Sequence, residues 1–176
     1  NKVNSELADV LGNFVYRTTS FTENYFDGQV PELTDPTDKD RQTLAKIASQ
    51  KEKITAAYED FKLREAIAET MNLARIGNKY FTEMEPWQTR KDDRETCGNT
   101  LHVCLQITAA LSVLFDPIMP NKMAELRSEL NINANISWDS VSDAILQSGT
   151  SINKGAILFE KIEDEQIEEQ LNKLKE

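Results

Sequence analysis

From Val3 onward the apolar positions Leu7, Val10, Leu11, Phe14, Phe21 and Tyr25 recur near a 3.6-residue period, and Asp27-Gly28 follows as a stop. That spacing predicts a first long helix. A polar, proline-bearing connection runs from Val30-Pro31 to Pro36-Thr37, after which the chain has no Gly or Pro until Gly77. Two apolar stripes occupy this interval: Leu44, Ile47, Ala48, Ile54, Tyr58 and Phe61, then Leu63, Ala66, Ile67, Thr70, Ala74 and Tyr80. On a helical wheel they are displaced by roughly 120°, so one straight helix cannot bury both, and a break is expected near Asp60. The third helix then runs to about Glu83, and Glu85-Pro86 ends it, because proline cannot continue the hydrogen-bond ladder. Trp87 is expected in the connection. A fourth helix starts near Asp92 or Asp93 and turns Cys97, Leu101, Cys104, Leu105, Thr108, Leu111 and Phe115 inward before Asp116-Pro117. Its second half, Ile107 to Phe115, is apolar almost all round, the mark of a central helix.

Beyond it, Pro120 opens a shorter helix through Leu130, and Trp138 lies in a polar stretch before a brief amphipathic segment, Val141 to Leu146. Ser148-Gly149-Thr150-Ser151 is a loop, Ala156 to Phe159 is too short to type, and Asp164 to Leu174 forms a charged tail helix. The expected architecture is all-α: a bundle of four main helices with short extra helices and a C-terminal tail helix. Residues 1–159 form the bundle and 160–176 its acidic tail. The 6 Gly and 5 Pro among 176 residues make turns too scarce for a sandwich or barrel. With a mean hydropathy of -0.53 and no apolar run near the ~18 residues of a membrane span, a globular, non-membrane chain is expected. It begins at Asn1 without the pattern of a targeting signal, and is expected to be cut from something longer.

A net charge of -10 gives no blanket attraction to nucleic acid or anionic membrane. Only residues 61–94, with seven basic against six acidic residues, escape the acidic background. His102, the single histidine, falls roughly 130° from the stripe of its helix and is expected at the surface. No His, Cys and carboxylate set has metal-ligand spacing, so no metal site is expected. Cys97 and Cys104, about 10 Å apart along one helix face, lie beyond the ~7 Å reach of a disulfide and read as reduced core thiols. No phosphate loop, nucleophile elbow or Ser-His-Asp set occurs, so neither catalytic residues nor a cofactor are expected in this chain. Two features remain. Asp9, Asn13 and Arg17 align at i, i+4, i+8 beside the first apolar stripe, as a solvated edge or a contact surface. Trp87, with Arg90 and Lys91 just beyond, is either a lid over the core or a platform for a ligand ring.

Several short motifs occur in a fixed order. They are Asn13 and Arg17 on the first helix, Phe26-Asp27-Gly28 at its end, Asn78-Lys79-Tyr80-Phe81, Glu85-Pro86-Trp87, Pro117 to Pro120, and Leu158-Phe159-Glu160-Lys161-Ile162. Together they resemble the anticodon-binding helical bundle of methionyl-tRNA synthetase over nearly the whole chain. The resemblance implies that Asn13, Arg17 and Trp87 contact the first anticodon base, a cytosine, with Pro86 shaping the turn. It implies as partners a tRNA with a CAU anticodon and the catalytic domain of a cytoplasmic parent enzyme that joins methionine to its tRNA using ATP. One departure stands out: Asp9 occupies a position where the family usually has Asn. A carboxylate only accepts hydrogen bonds and repels phosphate, so no base contact is carried onto it.

The residue chemistry suits that role. Cytosine presents acceptors at O2 and N3 and a donor at N4, so Arg17 can donate, Asn13 can do either, and Trp87 can stack. The parent's nucleotide-site motifs, of the His-Ile-Gly-His and Lys-Met-Ser-Lys-Ser types, are not in this sequence, so this chain is not expected to activate methionine. The alternative is a helical protein–protein interaction module without nucleic-acid binding, for which an amphipathic bundle with an acidic surface suffices. A Trp87 lying with Arg17 on one exposed surface favours the first reading; a Trp87 buried far from the first helix favours the second.

Overall fold

The computed structural model of the chain describes residues 3–153, 157–160 and 165. Its helices are α1 (Asn13–Phe26), α2 (Asp38–Glu59), α3 (Leu63–Met84), α4 (Pro86–Asp92), α5 (Arg94–Leu114) and α6 (Pro120–Glu129). A wide π-type coil, Val3–Gly12, runs directly into α1, and a single 3-10 turn spans Trp138–Ser140. Among the described residues there is no named strand, only an isolated antiparallel bridge between Gln29 and Ser151. The fold is the expected all-α bundle, with α1, α2, α3 and α5 as its long members.

Helix α5 is the axis because it can afford no solvent-facing side. Every residue from Cys97 to Leu114 is buried, and α1, α2, α3, α4 and α6 all pack on it. It is long and apolar enough to cross a membrane by length and composition, yet its whole apolar length lies inside the bundle. His102 corrects the surface placement expected from the helical wheel: it is only 8% exposed. Its Nδ1 lies 2.8 Å from the Pro31 carbonyl oxygen, which can only accept, so Nδ1 carries the proton and donates. Nε2 is left to accept from the Gln106 amide nitrogen at 3.2 Å. Gln106 in turn donates to the Leu146 carbonyl at 2.6 Å and accepts from the Leu146 N–H at 3.0 Å. The polar side of α5 is thus covered by two irregular segments whose backbone groups satisfy its side chains. A wheel drawn from apolar positions does not see such cover.

Helix ends follow local chemistry. Thr37 and Asp40 form a capping box at the start of α2: Asp40 N–H donates to Thr37 Oγ1 at 3.3 Å, and Thr37 N–H to Asp40 Oδ2 at 2.8 Å. The Tyr80 hydroxyl donates to the other carboxylate oxygen at 2.5 Å, tying α3 to that cap. The break between α2 and α3 falls where the stripes change phase, with Phe61 at φ +56°. Both stripes reach a residue too far, however, since Phe61 is 90% exposed and Leu63 55%. The left-handed turn points these side chains out of the bundle. Asp93 caps α5 by accepting from the Thr96 N–H at 3.0 Å.

Three further expectations are corrected. Trp87 lies in the first turn of α4 rather than in an irregular connection, because Glu85 at φ +46° ends α3 and Pro86 is pre-set for the first position of a new helix. Val141 to Leu146 is not helical. Trp138 instead opens the 3-10 turn and docks on α2, its Nε1 donating to Thr55 Oγ1 at 2.9 Å and its ring meeting Tyr58 edge-on. The first helix is α-type only from Asn13. Leu158 is buried and Phe159 half-buried, while of the expected tail helix, 160–176, only Glu160 and Glu165 fall among the described residues.

Candidate functional site

Two crossings position the site. Helix α3 meets α1 at Gly77, where a Cβ would stand 2.4 Å from Phe14 Cζ, so glycine lets the two backbones approach. One residue on, Asn78 donates through Nδ2 to the Val10 carbonyl at 2.9 Å, engaging the wide coil that precedes α1. Phe81, one turn further along α3, is fully buried under α1.

Arg17 lies above that ring. Its guanidinium carbon is 4.3 Å from the Phe81 ring centroid and 5.9 Å from that of Trp87. The two rings are 6.3 Å apart and inclined by 34°. Burial lowers the Arg17 pKa, but a guanidinium keeps its charge at any physiological pH. Among the described residues no hydrogen bond or ion pair occupies it, so its N–H edges are free. Arg17 and Trp87 are both half-buried. Trp87 therefore packs on the core with part of its ring while the rest stays open. Pro86 is buried, and its carbonyl accepts from the Cys97 thiol of α5 at 3.6 Å. That contact and the Gln88 and Thr89 N–H groups donating to the Glu85 carbonyl, at 2.8 and 3.1 Å, fix the turn that presents Trp87.

Asn13 is exposed one turn before Arg17 and faces elsewhere. With Asp9 it lines a depression of about 850 Å³, together with Gly12, Tyr16, Phe159 and Glu160. The structure thus brings Arg17, Pro86 and Trp87 together and places Asn13 beside Asp9 in a neighbouring hollow. Sequence reasoning missed Phe81 as the ring beneath Arg17, and missed two more arginine–ring pairs: Arg90 with Tyr25 and Arg94 with Phe26. Recognising Pro86 as a helix start would have placed Arg90 one turn from Trp87; the Tyr25 and Phe26 partners leave no local signal. Among the described residues no cluster of three or more His, Cys, Asp or Glu could hold a metal ion.

A family model described as the anticodon binding domain of methionyl tRNA ligase matches residues 30–175. Pro86 and Trp87 fall inside the match, and Asn13 and Arg17 precede it. Methionine–tRNA ligase of Salinibacter ruber is 43% identical over 190 residues, covering 99% of this chain and 27% of that protein. The Parabacteroides distasonis enzyme of the same name is 42% identical over 172 residues, 97% of this chain and 25% of the relative. This chain spans about a quarter of the length of such relatives. Among solved structures, apo Mycobacterium tuberculosis methionyl-tRNA synthetase superposes with a TM-score of 0.87 at 24% identity, over 92% of this chain and 34% of that one. The same enzyme in complex with methionyl-adenylate gives 0.85 at 25% identity, over 91% and 32%.

Proposed function

The chain belongs to the methionine–tRNA ligase family through its anticodon-binding domain, and on that premise we propose that it recognises the CAU anticodon of a methionine tRNA. The observation that carries this reading is the open cationic edge of Arg17 lying beside the half-buried Trp87. In the proposal a cytosine unstacked from the loop lies on the free part of the Trp87 ring, and Arg17 donates to its O2 and N3 acceptors. Uracil carries a proton at N3, so the same donor meets a donor, and the site discriminates by leaving a polar edge unpaired. Asn13 contributes an amide from the adjoining hollow, and Pro86 holds the turn.

This local chemistry explains how a chain of net charge -10 binds RNA: the contacts are to an exposed base rather than to a long duplex backbone. Activation of methionine with ATP and its transfer to tRNA belong, in this proposal, to a catalytic domain that partners residues 1–159 and the acidic stretch 160–176 in the cytoplasm. Titration of the chain with an anticodon stem-loop carrying CAU against one carrying UAU tests the reading. Preferential binding of CAU is expected. Equal binding overturns the base reading, and no binding at all returns the chain to the class of protein–protein interaction modules.

A further inference from the structure

Three arginines on one flank of the bundle hold their guanidinium groups over rings. Besides Arg17, the guanidinium carbon of Arg90 lies 4.4 Å from the Tyr25 centroid, and that of Arg94 4.6 Å from the Phe26 centroid. The rings form a connected file: Trp87 to Phe81 at 6.3 Å, Phe81 to Phe21 at 5.4 Å, Phe21 to Tyr25 at 5.2 Å. Arg90 is fixed further by its Nε, which donates to the Trp87 carbonyl at 3.1 Å.

Among the described residues none of the three, Arg17, Arg90 or Arg94, is held in an ion pair. Of the other arginines, Arg41, Arg75 and Arg127 each hold a carboxylate, and among the described residues Arg64 holds none. Of the nearby acids, Asp93 is held by the backbone and hydroxyl of Thr96, the Glu23 carboxylate lies near Gly28, and Glu85, Asp92 and Glu95 form no ion pair with these arginines among the described residues. A guanidinium held over a ring keeps N–H donors at its edge, in Arg90 those of the two terminal nitrogens, and such a fork matches a phosphate. Arginines interleaved with rings are the surface along which a single strand runs.

We propose that Arg90 and Arg94 hold two backbone phosphates of the RNA strand that continues from the base at Trp87 and Arg17. The inference rests on the anticodon reading and divides the labour within it: Arg17 and Trp87 sense which base is present, while Arg90 and Arg94 grip the strand without regard to sequence.

Affinities of the CAU and UAU stem-loops for the chain and for the R90Q/R94Q variant, measured from about 50 to about 200 mM salt, test it. Losing two contacts to a single strand lowers the slope of log affinity against log salt by about 1.4, so the affinity lost across that range shrinks about sevenfold. The ratio between CAU and UAU stays that of the parent chain. R90K/R94K, which keeps the charges, retains the steep slope. Should the double glutamine variant not fold, as judged by circular dichroism, R94Q at the exposed position gives a slope change of about 0.7. An unchanged slope overturns the proposal; if the CAU preference falls at the same time, Arg90 acts through Trp87 instead. If the parent chain binds both stem-loops equally and the slope still drops, the phosphate contacts stand and the base reading falls. If the parent chain binds neither, both fall together.

Discussion

A ring that is half in the core and half in solvent has two jobs, and substitution separates them at Trp87. Trp87→Ala is expected to weaken the CAU stem-loop by roughly 1–3 kcal/mol through lost stacking, with the helices retained by circular dichroism, because Phe81 still closes the core beneath it. Arg17→Ala costs a similar amount but narrows the gap between C and U at the first anticodon position; if that gap persists while the salt slope flattens, Arg17 touches phosphate instead. Gly77→Ala is expected to destabilise by about 1–3 kcal/mol in chemical denaturation although alanine is the better helix former, since the added Cβ overlaps the buried Phe14 ring. The i, i+4 spacing made Asn13 and Arg17 legible as neighbours on one helix. It carried no information that Arg17 folds over rings from α3 and α4 while Asn13 faces a different hollow. Contacts between residues remote in sequence leave no periodic trace.

Helices were readable where one apolar stripe decides their orientation, and the phase jump between Ile54 and Ala66 located the α2–α3 break. They were unreadable where the signal is shared. Proline both stops one helix and starts the next, so α4 was hidden behind Pro86. The apolar residues of the wide coil before α1 recur much as they would in an α-helix, so its wider hydrogen-bond pattern leaves no local signal. The capping box at Thr37 and Asp40 uses aspartate, and its second partner, Tyr80, comes from α3. Tyr80→Phe removes a hydrogen bond from a buried carboxylate and is expected to cost about 1.5–3 kcal/mol, read as a lower urea midpoint with unchanged slope. Thr37→Ala weakens the same helix end by about 1 kcal/mol. Because Asp40 joins both interactions, the double variant should lose less than the sum.

At the scale of the whole molecule, the buried thiols of the central helix and Tyr80 of α3 set a limit on alkaline stability. Burial raises the pKa of Cys97, Cys104 and Tyr80 above their ordinary values of 9.0, 9.0 and 10.0. The folded chain therefore keeps protons that the unfolded chain releases, so stability is complete below about pH 9 and declines as pH rises past it. Urea midpoints measured from about pH 8 to about pH 10.5 should fall, and Cys104→Ala should make that fall shallower even if its starting midpoint is lower. The distribution of the two tryptophans has an optical consequence. Both are half-buried, but Trp138 is held against α2 by Thr55 and Tyr58, whereas Trp87 lies beside Arg17. A base stacking on the Trp87 indole should quench only that chromophore, so fluorescence titration should reach a plateau with the Trp138 emission intact. Trp138→Phe would leave a single indole whose light reports occupancy alone.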